Sequence, residues 1–263
     1  MPRPFPFSEA QVELIIQMYN NGDSSATIAS KASFECTKGQ VLYTLHKFDI
    51  HLRAPGRPQN SIPLSDLALR LITGHILGDG SLSSIKPPLI NSNFSLTQCI
   101  YHKDVILWTQ QLLSHENVPA KIYKRLNGAL SMYTPHAPSF TQLRHLWYPQ
   151  GKKIVPTDLE LSSLAMLAWY LDDGTLCKRA GVVLHTEGFE FHDVFNLSNH
   201  LNTTFNLCAN VKERYYPPNS WAKNREIPKP YLYIPKSNGN LQRFFDIIGP
   251  CPTPCMQHKW PVR

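Results

Sequence analysis

One pattern occurs twice in this chain, and it constrains the fold more than any other feature. The first copy reads Leu71-Ile72-Thr73-Gly74-His75-Ile76-Leu77-Gly78-Asp79-Gly80-Ser81-Leu82. The second reads Ala165-Met166-Leu167-Ala168-Trp169-Tyr170-Leu171-Asp172-Asp173-Gly174-Thr175-Leu176. Each is an apolar helical stretch that ends in Asp-Gly and is followed by Ser or Thr and a Leu. The likeness continues downstream. Phe94-Ser95-Leu96-Thr97-Gln98 leads into a helix over 103–115, and Val183-Leu184-His185-Thr186-Glu187 into one over 191–202. Met132-Tyr133-Thr134-Pro135 and Leu232-Tyr233-Ile234-Pro235 precede a further helix in each copy, over 140–147 and 241–248. A chain duplicated at this scale folds as two similar halves, each in the order helix, strands, helix, strands, helix.

The duplicated helices carry a chemical signal. Gly74 and Gly78 lie at i and i+4, and Ala165 and Ala168 at i and i+3, so each helix has a face of small residues. Two such faces let backbones approach closely. Side-by-side packing would bring together the helix C-terminal ends, and with them Asp79 and Asp173. Paired carboxylates there face the unfavourable end of two helix dipoles and repel each other unless a divalent cation neutralises them. Mg²⁺, held by a few carboxylates together with phosphate and water, suits that arrangement. Asp-Gly alone is a common turn dipeptide; it is the second copy in the same context that gives it weight.

The two segments resemble the paired motifs of the LAGLIDADG homing endonucleases in their single-chain, two-repeat form. Gly74, Asp79 and Gly80 match in the first copy, and Asp173 and Gly174 in the second. Ala168 takes a small-residue position, and Asp172 stands where a small residue is usual, as a solvated or capping acid. The resemblance covers roughly residues 64–263. It implies an α+β fold: two pseudo-symmetric αββαββα repeats forming an antiparallel β saddle that lies in a DNA major groove. The repeats are expected over 65–156 and 157–263. It also implies hydrolysis of both DNA strands across the minor groove, leaving short 3′ overhangs, with Mg²⁺ or another divalent cation such as Mn²⁺ held by Asp79 and Asp173. Family sites add a polar strand residue, here Gln98 and Glu187, and a basic residue, here Lys153 and Lys259. Each lysine sits shortly before a proline late in its repeat. Glu187 departs from the usual amide.

The charge distribution agrees with a polyanion partner. The 263 residues carry a formal charge of +7. Residues 1–60 hold six basic and five acidic side chains; the remainder hold twenty and fourteen. Two basic, aromatic-laced stretches are candidate DNA contacts. One is Lys121, Tyr123, Lys124 and Arg125. The other is Lys212, Arg214, Tyr216, Lys223, Arg225, Lys229 and Tyr231. Strand alternation would put about half of each set in the groove.

Residues 1–53 read as three short helices. Ser8 with Gln11, and Thr37 with Gln40, form capping-box patterns. Val12, Ile15, Ile16 and Tyr19, and later Val41, Leu42 and Leu45, fall at helical spacing. This segment resembles a helix-turn-helix of the resolvase and transposase type. In that reading the third helix enters a major groove, with Thr37, Lys38, Gln40, Tyr43 and Thr44 as contacts. A small helical packing unit is the alternative. Residues 54–64 hold three prolines and one glycine and read as a stiff linker.

The sequence contains no apolar run of about 18 residues, and its start lacks the apolar stretch of a secretory signal. The expected setting is intracellular, in a bacterial or phage cytoplasm or in a mitochondrion or chloroplast. The six cysteines lack zinc-site spacing and read as reduced thiols. Met1 and the terminal Pro261-Val262-Arg263 do not fit an intein's splicing residues. The leading expectation is a monomeric, intron-encoded, site-specific double-strand DNA endonuclease with a long pseudo-asymmetric target site. The alternative is a non-cutting relative, either an RNA-splicing maturase that takes intron RNA or a transcription regulator.

Overall fold

In the computed structural model the described residues are 6–21, 23–50, 61–85, 90–215 and 228–261. The chain divides into two units, Met1–Arg57 and Pro58–Arg263.

The first unit is built from helices α1 (Glu9–Asn20), α2 (Ser25–Lys31) and α3 (Lys38–Lys47). Both capping boxes form. The Ser8 side chain accepts from the Gln11 backbone N–H while the Gln11 side chain accepts from that of Ser8, and Thr37 and Gln40 do the same. Ile15, Tyr19, Ile28, Val41 and Leu45 make this unit's own core.

The second unit holds the two repeats. The first runs α4 (Asp66–Leu77), β1 (Ser81–Leu82), β2 (Phe94–Gln98), α5 (Lys103–His115), β3 (Lys121–Lys124), β4 (Leu130–Tyr133) and α6 (Pro138–Trp147). The second runs α7 (Ser163–Asp173), β5 (Gly174–Cys177), β6 (Gly181–Leu184), α8 (Phe191–Phe205), β7 (Asn210–Arg214), β8 (Lys229–Pro235) and α9 (Asn240–Ile248). Each makes a four-stranded antiparallel sheet, ordered β1-β2-β4-β3 in one and β5-β6-β8-β7 in the other. The fold is α+β, as expected. Ile62 is buried in this unit's core and its carbonyl accepts from Ser139 Oγ at 2.7 Å. The expected linker therefore ends earlier than residue 64; its residues 54–60 lie outside the described set.

Cross-strand partners share a face, so register sorts the side chains. In the first sheet Leu82, Phe94, Leu96, Met132 and Ile122 turn to the core, while Ser81, Ser95, Thr97, Ser131, Tyr133, Lys121 and Tyr123 share the opposite, polar face. In the second, Val182, Leu184, Leu232 and Ile234 turn inward, while Lys212, Arg214, Lys229, Tyr231 and Tyr233 share the polar face.

Candidate active site

Helices α4 and α7 pack with their backbones in near contact, and the small residues explain why. A Cβ on Gly74 would lie 2.2 Å from the Ala165 carbonyl oxygen and 2.8 Å from Ala168 Cβ. A Cβ on Gly78 would lie 2.5 Å from Asp172 Cβ. The stripe expected from sequence is therefore the interface between the repeats, and Asp79 and Asp173 stand at its end.

Asp172 is not a solvated acid. Its side chain is fully buried. Oδ2 accepts from the backbone N–H of Asp79 at 3.2 Å and faces His75 Nδ1 at 2.9 Å. Oδ1 accepts from Gln98 Nε2 at 3.0 Å, and the same amide nitrogen donates to Asp79 Oδ2 at 2.8 Å. Because both acceptors are carboxylates, the orientation of the Gln98 amide is fixed. The Thr109 hydroxyl donates to the Val105 carbonyl at 2.8 Å, and its oxygen lies 2.9 Å from His75 Nε2, which holds the ring in place. Neither His75 nor Asp172 was assigned a role from sequence, although a histidine and an acid inside two otherwise apolar motif helices were the visible signal.

The cluster stores electrostatic repulsion. Burial, with the charges of Asp79 and Asp172, pushes the Asp173 carboxyl up to about 7, against a partial offset from Lys153. Burial and Asp172 raise Asp79 as well, while the Gln98 hydrogen bond and Lys259 oppose them. Lys153 Nζ donates to the carbonyls of Gly78 at 3.0 Å and Gly80 at 3.2 Å. Lys259 Nζ donates to those of Leu171 at 2.7 Å and of Tyr170 and Asp172 at 3.3 Å each. Each lysine thus caps the C-terminal end of its own repeat's motif helix, where a cation opposes the dipole. Burial lowers both lysine pKa values, and the three aspartates pull them back up. Asp79 and Asp173 offer oxygen donors only, which fits a hard divalent cation held by few carboxylates together with phosphate and water.

The strand register corrects one pairing. Ser81 faces Ser95 and Thr175 faces Val183, so the counterpart of Gln98 three residues on is Thr186. Glu187 falls at the position of Cys99. Thr186 is buried and its hydroxyl donates to the Pro230 carbonyl at 3.1 Å. Glu187 instead accepts from Arg214 Nη1 at 2.6 Å and lies 3.2 Å from His185 Nδ1. Burial acts to raise its pKa, but the contacts with His185 and Arg214 bring it below the usual value. By register, the residue that matches Gln98 in the second sheet is Thr186, one position before the expected Glu187.

The candidate DNA contacts also sort by register. Lys121 and Tyr123 lie on the polar face of the first sheet, whereas Lys124, paired with Leu130, falls on the other. Lys212, Arg214, Lys229 and Tyr231 lie on the polar face of the second sheet. Arg125 and Arg214 occupy equivalent positions, four residues past Lys121 and Asn210, which both pair with a tyrosine of the central strand. Both guanidinium groups are held. Arg125 donates to Ser131 Oγ, to Tyr133 Oη at 3.0 Å and to Thr97 Oγ1 at 3.3 Å. Arg214 is held by Glu187 and lies 4.8 Å over the Tyr231 ring. Tyr216, Lys223 and Arg225 lie outside the described residues. In the first unit Lys38 and Tyr43 are exposed, and the Gln40 side chain is engaged in the cap. Thr44 is buried and bonded to the Gln40 carbonyl, so it is removed from the expected contacts.

Two duplicated α+β halves, joined through small-residue helices that end in acids and carrying two polar sheet faces, define a two-repeat nuclease scaffold. The chain belongs to the LAGLIDADG DNA endonuclease family, whose model matches residues 69–238. Among curated relatives, the probable intron-encoded endonuclease 1 of Wickerhamomyces canadensis is 27% identical over 216 residues, spanning 74% of this chain and 84% of that protein. The cytochrome b mRNA maturase bI2 of Debaryomyces hansenii is 27% identical over 162 residues, spanning 57% of this chain and 61% of that protein. Among solved structures, the homing endonuclease I-WcaI bound to its DNA recognition sequence shares the fold with a TM-score of 0.61 at 24% identity, covering 81% of this chain and 96% of that one. No helix among the described residues is long and apolar enough to cross a membrane.

Proposed function

We propose that this chain is a homing endonuclease, encoded within an intron, that cuts both strands of one long, pseudo-asymmetric DNA site as a monomer. The observation that carries this reading is the meeting of Asp79, Asp172 and Asp173 at the ends of two packed helices, with Gln98, Lys153 and Lys259 around them. Asp79 and Asp173 would hold Mg²⁺ or Mn²⁺. When bound, such a cation supplies charge neutralisation at the scissile phosphate and lowers the pKa of an attacking water. The protein groups do the remaining work. Gln98 fixes the Asp79 carboxylate. Lys153 and Lys259 place positive charge beside the acids, where charge develops on a phosphate. The polar faces of the two sheets carry Lys121, Tyr123, Arg125, Lys212, Arg214, Lys229 and Tyr231 towards the duplex. These grip phosphates and read base edges. The repeats are assigned to 65–156 and 157–263, and helix α3 is proposed to extend the footprint through Lys38 and Tyr43.

The maturase reading rests on the Debaryomyces hansenii relative, which bears that name. A cleavage selection separates the two. The protein is mixed with a fragmented genomic library containing intron-free alleles, with Mg²⁺ or EDTA, and new ends are sequenced. Mg²⁺-dependent double-strand breaks at one long site support the endonuclease. Absence of DNA breaks, with retention of intron RNA in a parallel binding reaction to which that RNA is added, supports the maturase and overturns the proposal.

A further inference from the structure

Asp172 immediately precedes the second motif's Asp173-Gly174, and its counterpart in the first motif is Gly78. The two meet across the helix interface. A Cβ on Gly78 would sit 2.5 Å from Asp172 Cβ, so the helices as packed leave room for a side chain at one of the two positions and not at both. This layer of the pseudo-twofold is asymmetric by construction.

The single acid leans towards the first repeat. It takes the backbone N–H of Asp79, the Gln98 amide and the His75 ring, and His75 is in turn fixed by Thr109. The counterpart of His75 is Trp169, that of Gln98 is Thr186, and that of Asp172 is Gly78. None of these provides a matching bridge to Asp173. Thr186 is committed to Pro230. A buried polar pair such as His75–Asp172 contributes little stability compared with apolar packing of the same volume. Its geometric effect is larger, since side chains locked by a supporting shell hold a reacting constellation in place, and displacement of about 1 Å can cost about a hundredfold in rate.

We infer that Asp172, held by His75, is a positioning residue that fixes Gln98 and the Asp79 turn, so that the two acidic sites are unequal and the two DNA strands are cut at unequal rates. This rests on the endonuclease reading and adds to it a named source of asymmetry.

The test uses the full chain and the duplex recovered in the cleavage selection, each strand end-labelled, in single-turnover reactions with Mg²⁺. The wild type should show two distinct strand rates. Gln98→Ala marks the strand that depends on the first site. His75→Gln reaches towards Thr109 but leaves Asp172 without its donor; it should slow that same strand by about tenfold or more with DNA affinity unchanged. His75→Asn keeps a donor where Nδ1 stands and should restore the rate. Equal strand rates in the wild type overturn the inference without any variant having to fold. Equal slowing of both strands by His75→Gln, or His75→Asn performing no better than His75→Gln, also overturns it and leaves His75 a packing residue. A wild type that cuts neither strand of any duplex instead removes the endonuclease reading, and this inference with it.

Discussion

Replacing Asp173 with Asn should stabilise the metal-free protein, and increasingly so as pH rises. The carboxyl moves from 3.8 to about 7 on folding because it is buried beside Asp79 and Asp172. A raised folded pKa means that the folded state holds a proton which the unfolded chain has released. Wild-type stability from this group is full below about pH 4 and is lost as pH rises towards 7. About two pKa units of that loss fall between pH 5 and pH 8, and at about 1.4 kcal/mol per unit this is about 3 kcal/mol. The amide has the same shape and does not ionise. The stability gap between Asp173→Asn and wild type should therefore widen by about 3 kcal/mol from pH 5 to pH 8. Urea melts in EDTA, followed by tryptophan fluorescence, measure it. All five tryptophans lie beyond residue 57, so the signal reports the second unit alone. Mg²⁺ at pH 8 should narrow the gap by stabilising the wild type. A gap that stays constant with pH refutes the argument that crowded carboxylates set the electrostatics of this site.

Gly78→Ala forces a methyl group against Asp172 and should cost about 1–3 kcal/mol, read as a fall in the thermal midpoint. Arg125→Ala and Arg214→Ala should each weaken DNA binding by about 1–3 kcal/mol and relax base preference at positions related by the pseudo-twofold, measured by binding selections on randomised duplexes. Removing residues 1–57 should leave the second unit folded with an unchanged tryptophan spectrum, because the first unit has its own core, while reducing DNA affinity.

What the sequence made legible was whatever depends on local spacing. The capping residues Ser8 and Thr37, the limits of α5, and the stripe of Gly74, Gly78, Ala165 and Ala168 all follow from helical periodicity, and the structure has them. The misread features depend on pairing across the chain. Strand register is set by hydrogen bonding between strands, and a slip of one residue moves a side chain to the other face. That is why Glu187 stood in for Thr186, whereas Lys124 falling on the other face from Lys121 and Tyr123 is the alternation expected of about half of each set. Asp172 reads from sequence as a solvated or capping acid because aspartates near helix ends are mostly exposed. Its burial depends on three donors that lie 74 to 97 residues away. The equivalence of Arg125 and Arg214 was hidden for the same reason, since it emerges only once each is counted from a paired tyrosine.

Asp79 and Asp173 together are proposed to make this fold a double-strand nuclease. The direct measurement compares wild type, Asp79→Asn and Asp173→Asn on the selected duplex, recording binding in Ca²⁺ and cutting of each strand in Mg²⁺. Both variants should bind the site as the wild type does, and neither should make a double-strand break. Double-strand cleavage surviving in either variant would remove both residues from the catalytic role assigned to them.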